Sequence, residues 1–272
     1  MPDNTLNALY TAIGGLTNNS TSLNIAGNNI ANISTTAFKS STATFGDIIN
    51  QSLLTGRGQI GGGSAITGIN TEFNTGALIG TGNPLDMAIG GNGFFIVGAA
   101  GGTAYTRAGN FSLDNNGYLT NSQGAQLQGY MADSSGRLSS TLSSLKMDSN
   151  SLSAANTTAV SIGTDGTITA ASANGQTKVI GRLAVATFAN PQGLTSIGNN
   201  LYANSSTSGQ PIVGTGGVGS AGSILSSTLE ASNTDMASQF VDMIVSQRAF
   251  QANIKTIDSA SQQMDDLLNI KA

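Results

Sequence analysis

The side chains that most often carry out chemistry in proteins are scarce in this sequence, which contains no cysteine and no histidine. Without cysteine, the chain cannot form a disulfide or a thiolate metal site. Without histidine, it lacks the commonest general base and metal ligand, so its many serines cannot join a Ser-His-Asp triad. The composition therefore argues against an enzyme.

The acidic residues and glycine-rich stretches that remain fit structural roles better than catalytic ones. Asp165 precedes Gly166, as in a tight turn, and Asp265-Asp266 fits the polar face of a C-terminal helix. The stretch DMAIGGNGFF places its glycines before a strand, so it does not support a dinucleotide site, and GRGQIGGGSAI lacks the Gly-Lys-Ser/Thr ending of a phosphate loop. We therefore expect no catalytic residue, cofactor, metal or small-molecule substrate.

Charge is sparse along the whole chain. Only 9% of the 272 residues are charged and the net charge is -4, so no basic field would attract nucleic acid or anionic lipid. No apolar run approaches the roughly 18 residues of a membrane span. The opening stretch, MPDNTLNALYTAIGG, lacks the basic region and apolar run of a Sec signal peptide. A secreted protein of this sequence would need an export route that cleaves no leader.

An apolar stripe near the N-terminus recurs in alternating steps of four and three residues. This spacing is that of a coiled-coil seam, and the flanking Asn, Thr and Ser residues offer few ion pairs, so packing must stabilise the helix. Two small residues, Ser20 and Gly27, interrupt the seam. Its apolar members are Leu9, Ile13, Leu16, Leu23 and Ile30.

A longer stripe of the same kind occupies the C-terminus. Neither Gly nor Pro occurs between Ser232 and Ala272, and Ser232 with Asp235 predicts a helix N-cap. At 1.5 Å per residue the helix would be about 50 Å long, which favours coiled-coil packing. From Met236 the seam continues through Phe240, Met243, Gln247, Phe250, Ile254, Ile257, Ser261, Met264 and Leu268. The two stripes could form one antiparallel pair or join subunits, and their position at both chain ends favours assembly.

Between about residue 60 and residue 230, short β-prone runs such as GFFIVG and RLAVATFA replace the helical period. Tight hairpin turns are predicted at Asn116-Gly117, Asp165-Gly166 and Asn174-Gly175. The sequence thus predicts an α+β fold that is mainly β. Its helical termini pair as a coiled-coil-like inner domain, and an antiparallel β-rich domain lies between them.

The stretch YTRAGNFSLDNNGYLTN reads as a strand, a turn and a second strand. We expect Phe111, Leu113 and Leu119 in this stretch to point into the core.

With these residues in place, the sequence resembles the axial proteins of the bacterial flagellum, the hook and distal-rod family, over nearly the whole chain. The family signature Asn-(Ile/Leu)-Ala-Asn-x-x-Thr-x-Gly-Phe-(Lys/Arg) is matched by Asn29, Ile30, Ala31, Asn32, Thr35, Phe38 and Lys39. Ala37 stands where the family usually has glycine. A positive φ would be costly for alanine and would alter the local turn.

Two further blocks carry the resemblance. LDMAIGGNGFFIV followed by YTRAGNFSLDNNGYLTNSQGAQLQGY resembles the family's β domain. The stretch SNTDMASQFVDMIVSQRAFQANIKTI resembles its C-terminal helix, with matches at Met243, Ile244, Gln247, Arg248, Phe250, Gln251, Ala252 and Asn253.

The resemblance implies a structural subunit whose terminal helices form the inner tube of a helical assembly around an export channel. Residues 1–33 with 232–272 would be the inner domain, 34–80 an extended arm that reaches neighbouring subunits, and 81–231 the outer β domain. The implied partners are further copies of the chain, the distal rod protein, the hook cap, the hook-filament junction proteins and the flagellar type III export apparatus. The implied location is the flagellum, outside the cell after export.

Within the family, QLQGY and ATFANPQGL are more hook-like than rod-like. We therefore expect a hook subunit that transmits torque from rod to filament, either a naturally short one or the core of a longer one. The distal rod protein is the alternative within the family. A secreted adhesin is the alternative from another class, although the β region has none of the regular repeats that a β-solenoid would need.

Overall fold

The computed structural model describes residues 2–52, 59–99, 101–133, 135–147, 157–172 and 177–270. The chain divides into two compact units. The helical unit comprises Met1–Ile33, Lys39–Glu72 and Thr234–Ala272, and the β unit comprises Ser34–Phe38 and Phe73–Asn233.

The two ends of the chain form the helices of the helical unit, α1 (Pro2–Ala31) and α2 (Met236–Ile270). The helices contact each other and run antiparallel. Asn29, near the end of α1, bonds Gln239 near the start of α2, whereas Gly15 lies against Asn253 further along α2. The predicted pairing of the terminal helices is therefore confirmed.

Helix α2 is capped by Asp235. Its Oδ1 accepts a hydrogen bond from the amide of Ala237 at 3.0 Å, and its carbonyl oxygen accepts one from the amide of Gln239 at 3.0 Å. The predicted N-cap at Ser232 is wrong, because the helical hydrogen bonds start later in the chain. A carboxylate at this end also suits the helix dipole.

Part of the segment predicted as an extended arm forms a β hairpin within the helical unit. Its strands, β1 (Ser41–Ser52) and β2 (Gln59–Thr71), pair antiparallel, with Ser41 opposite Thr71, and both strands contact α1. The sequence did not indicate this pairing, because the glycines of β2 interrupt any alternation of apolar and polar residues.

The β unit is built from short strands that are antiparallel in every pairing described. They are β3 (Leu78–Gly80), β4 (Met87–Gly90), β5 (Phe94–Ala99), β6 (Gly102–Thr106), β7 (Ser112–Leu113), β8 (Leu119–Thr120), β9 (Gln126–Met131), β10 (Ser143–Ser144), β11 (Thr157–Ile162), β12 (Thr167–Ser172), β13 (Thr177–Leu183), β14 (Val185–Thr187), β15 (Thr195–Gly198), β16 (Leu201–Ala203), β17 (Ile212–Gly214), β18 (Ser223–Ser226) and β19 (Thr228–Glu230). A 3₁₀ helix spans Pro191–Gly193. The main sheet runs β11-β12-β13-β9-β5-β6-β16-β15, and β18-β4 and β19-β3 form separate pairs.

Strand β5 lies at the centre of the β unit and is buried on both faces. Phe95 and Val97 belong to the larger apolar cluster, whereas Phe94 and Ile96 belong to a second cluster on the other face. The second cluster is aromatic, and Phe94 meets the ring of Phe188 edge to face at 5.7 Å between centroids. Burial on both faces explains why GFFIVG is a continuous apolar run rather than an alternating one.

Three turns of the β unit share one geometry. In each, an Asp or Asn side chain accepts hydrogen bonds from the amides two and four residues later, and a glycine three residues later has a φ of 77° to 83°. The pairs are Asp114 with Gly117, Asn121 with Gly124, and Asp133 with Gly136. Only the first was predicted, because the other two lack an Asn-Gly or Asp-Gly dipeptide.

The other predicted turns and inward residues had mixed outcomes. Asp165-Gly166 does join β11 to β12, and Asn174-Gly175 lies outside the described residues. Phe111 and Leu119 are buried as expected, but Leu113 is 38% exposed. The prediction for Leu113 is wrong because β7 is two residues long and pairs only with β8 among the described strands.

A buried ion pair anchors the segments where the chain enters and leaves the β unit. The carboxylate of Glu230 accepts a hydrogen bond from the amide of Gly76 at 2.9 Å and lies 3.6 Å from Arg107 Nη1. The carbonyl oxygen of Glu230 accepts a hydrogen bond from the amide of Ala37 at 2.8 Å. The guanidinium of Arg107 lies over the ring of Phe94. Burial lowers the pKa of Arg107, and the charge of Glu230 opposes that shift.

Ala37 takes the positive φ that its place in the signature implied, at 55°. This conformation costs alanine about 1–2 kcal/mol. Complete burial of the residue and the hydrogen bond to Glu230 offset that cost.

Candidate assembly surface

Asn29 joins three segments of the helical unit through one buried side chain. Its Nδ2 donates hydrogen bonds to the carbonyl oxygen of Ser41 and to Oε1 of Gln239, both at 2.9 Å. Its Oδ1 accepts a hydrogen bond from the amide of Ser41 at 3.0 Å. The residue is 1% exposed. The end of α1, the start of β1 and the start of α2 are therefore fixed by a single amide.

A second buried asparagine on α1 fixes the other strand of the hairpin. Asn18 Nδ2 donates to the carbonyl oxygen and to Oγ of Ser64 in β2, both at 2.8 Å. Asn18 and Asn29 are separated by about three helical turns and so lie on the same face of α1. Together they hold both strands of the hairpin against that face.

Gly15 of α1 lies at a contact with the side chain of Asn253 in α2. A Cβ on Gly15 would lie 2.7 Å from Nδ2 of Asn253. The inner face of α2 follows the steps of four and three and is buried or half-buried throughout. It consists of Gln239, Met243, Ser246, Phe250, Asn253, Ile257, Ala260 and Met264.

The opposite side of the first turns of α2 carries an exposed apolar strip, which we call the outer strip. Its members share one side of the helix, and each is at least 44% exposed. They are Met236, Phe240, Val241, Ile244 and Val245. Further along the helix most exposed positions are polar, with Ile254 as an exposed apolar exception.

The residues predicted for subunit assembly divide between the inner and outer faces of the helix pair. Half-buried members are Leu9, Leu16, Leu23, Ile30, Met243, Phe250, Ile257 and Met264. Exposed members are Ile13, Phe240 and Ile254. The side chain of Leu268 lies outside the described residues.

The signature residues do not gather at one point. Asn29 and Lys39 are buried, Asn32, Thr35, Phe38 and Asn253 are half-buried, and Ala31, Gln247, Arg248 and Gln251 are exposed. Sequence reasoning singled out Asn29 but missed its partners Ser41 and Gln239. The available signal for these partners was the amide side chain of Asn29 itself, which lies in a predicted helix with few charged residues.

No group of three or more acidic side chains among the described residues could hold a metal ion, and neither described helix is long and apolar enough to cross a membrane. Burial beside Phe94 and Phe73 raises the pKa of Tyr202 to about 12. Paired terminal helices, a β unit between them in the sequence and an exposed apolar strip are features of a structural protein.

Comparison with known proteins identifies the family. Three family models match in order: "Flagella basal body rod protein" over residues 9–39, "Flagellar hook protein FlgE/F/G D1 domain" over 88–170, and "Flagellar basal body rod FlgEFG protein C-terminal" over 225–270. The chain belongs to the flagellar hook and basal-body rod protein family. The family's members are structural components of the flagellum and not enzymes.

Individual relatives include both hook and rod proteins. The flagellar basal-body rod protein FlgG of Bacillus subtilis is 38% identical, covering 98% of this chain and 99% of the relative. FlgG of Agrobacterium fabrum is 33% identical, covering 94% and 96%. The flagellar hook protein FlgE of Escherichia coli is 26% identical, covering 97% and 100%.

Replacing Asn29 should destabilise the helical unit. Asn29→Ala removes three hydrogen bonds at a buried site and should lower the free energy of unfolding by about 2 kcal/mol. Asn29→Asp should cost more, because a carboxylate would face the carbonyl oxygen of Ser41 and Oε1 of Gln239. Denaturant unfolding followed by circular dichroism, which reports the two helices, measures both changes.

The matched control for this prediction is Asn24→Asp, which introduces the same change at an exposed position of α1. We expect it to change the unfolding free energy by less than about 0.5 kcal/mol. Equal effects of Asn24→Asp and Asn29→Asp would show that the amide of Asn29 does not hold these segments together.

Proposed function

We propose that this chain is the subunit of the flagellar hook and that it polymerises into a hollow curved tube that transmits torque from rod to filament. The observation that carries this proposal is the outer strip of α2. It exposes five apolar side chains on one side of a helix whose other side is already paired with α1. Burying them between copies would supply the driving force for assembly.

The size of the outer strip supports assembly. Complete burial of a Val, Ile, Phe or Met side chain contributes about 1.5–3 kcal/mol, and each strip residue is 44% to 61% exposed in the isolated chain. Burial of the exposed parts of these five side chains would contribute about 4–8 kcal/mol at every subunit contact. No charged residue belongs to the strip, although the exposed carboxylate of Asp242 follows Val241 in the sequence.

The proposed layout places residues 1–33 and 232–272 around the central channel. Residues 81–231 would lie outside, and the arm within 34–80 would contact neighbouring copies. With only 9% charged residues, the outer surfaces could change contacts without breaking strong ion pairs as the tube bends. The rod, the hook cap, the hook-filament junction proteins and the type III export apparatus are the proposed partners.

The hook is favoured by the hook-like stretches at 126–130 and 186–194, which form β9 and the segment from β14 to the 3₁₀ helix. The second candidate is the distal rod. It is favoured by the 38% identity to a relative named as a rod protein, which this chain matches over 99% of that relative's length.

Deletion of the gene in its native host would separate hook from rod. We expect negative-stain electron microscopy of purified basal bodies to show complete rods without hooks. Rods that stop short would instead assign the chain to the distal rod. Normal hooks on intact basal bodies would contradict both assignments and return the adhesin to consideration.

A charge within the outer strip should block assembly without unfolding the chain. Ile244→Asp would bury a carboxylate between copies at a cost of several kcal/mol, which corresponds to at least a hundredfold weaker assembly. The measurement is the number of hooks per cell after complementation of the deletion strain. Circular dichroism and thermal melting of the purified variant should match the unchanged protein.

The control for the outer strip is Gln262→Asp, which introduces the same charge at an exposed polar position of α2. It should leave hook number unchanged. Normal hooks from the Ile244→Asp variant would show that the outer strip is not buried in the polymer.

A further inference from the structure

The helical unit contains a groove of about 300 Å³ where α1, β1 and α2 meet. Its walls include Ser22 and Ile25 of α1, Phe45 of β1, and Val245 and Ser246 of α2. Val245 is also a member of the outer strip, so the groove continues the surface proposed for assembly.

The chemistry of the groove is mixed. Phe45 and Val245 are 47% and 61% exposed and supply apolar surface at its mouth. The half-buried hydroxyls of Ser22 and Ser246 and the exposed carboxylate of Asp242 supply hydrogen-bond acceptors. Such a groove suits an amphipathic side chain that has an apolar body and a polar tip that donates a hydrogen bond.

Tyr10 of α1 has these properties. It is 67% exposed, more than any other large apolar or aromatic side chain among the residues with described burial. An aromatic ring buries 150–250 Å², and its phenol hydroxyl can donate to a serine or a carboxylate. Ile13, the neighbouring exposed residue, has no donor for those acceptors.

Tyr10 cannot fill the groove of its own chain. Ser22 and Ile25 lie further along the same helix, at a rise of 1.5 Å per residue, so about 20 Å separates Tyr10 from the groove. A second copy that lies beside the first and is offset along the helix axis by about that distance would bring its Tyr10 to the groove. Such a contact joins different surfaces of the two copies, and it produces an open helical polymer when the rotation does not close.

We propose that Tyr10 of each subunit inserts into the groove between α1, β1 and α2 of a neighbouring subunit. This contact rests on the proposed function and adds to it a specific subunit-to-subunit lock. It assigns the hairpin a role in assembly, since β1 forms one wall of the groove.

The chain has no cysteine, so introduced thiols report this contact without interference. Two variants, Ile13→Cys, which keeps Tyr10 and places the thiol one helical turn away at an exposed position, and Ser246→Cys, are expressed together in the deletion strain, and the isolated hooks are treated with a short bismaleimide. We expect cross-linked dimers that contain one copy of each variant. Hooks in which Ser246→Cys is replaced by Ala252→Cys, an exposed position of α2 outside the groove, should give no such dimers.

Hook number tests the same contact without cross-linking. Tyr10→Ala should reduce the number of hooks per cell at least tenfold, Tyr10→Phe should reduce it less, and Asn24→Ala, at another exposed position of α1, should leave it unchanged. Two results would overturn the groove contact: hooks that give no mixed dimers, and a normal number of hooks in the Tyr10→Ala variant. They would leave the proposed function intact. Failure of the unchanged gene to restore hooks in the deletion strain would overturn the proposed function itself.

Discussion

The antiparallel contact between the two chain ends fixes where the intervening chain starts and finishes. Because α1 and α2 lie side by side, everything between residues 31 and 236 must leave the helix pair and return to it. The entropic cost of closing such a loop grows only slowly with its length. The helix pair can therefore carry an intervening segment of more than one size. The hook protein of Escherichia coli aligns with this chain over 407 positions, and the alignment covers 97% of this chain.

The same contact explains why the apolar pattern of α2 was only partly informative. Met243, Phe250, Ile257 and Met264 belong both to the predicted seam and to the inner face. The alternate positions of the inner face are polar or small: Gln239, Ser246, Asn253 and Ala260. Gln239 bonds Asn29 of α1, and Asn253 lies against Gly15. A search for apolar residues passes over these positions and selects Phe240 and Ile254 instead, which are exposed.

The β unit was predictable to the extent that local chemistry specifies it. Asn116-Gly117 and Asp165-Gly166 marked turns correctly, and the apolar run from residue 93 to 98 marked the central strand. The hairpin of the helical unit gave no comparable signal, because Asn18 and Asn29 hold it through side-chain bonds to residues distant in sequence. A single sequence indicates that an asparagine is present but does not identify the residue it will bond.

In the proposed assembly, the paired terminal helices build the inside of the polymer. Helical reconstruction of isolated hooks by electron cryomicroscopy tests this arrangement most directly. We expect α1 and α2 at the smallest radius, the outer strip of α2 buried against a neighbouring copy, and the β unit at a larger radius. A map with the helices on the outside of the tube, or with the outer strip open to solvent, would show that the terminal helices do not form the inside of the polymer.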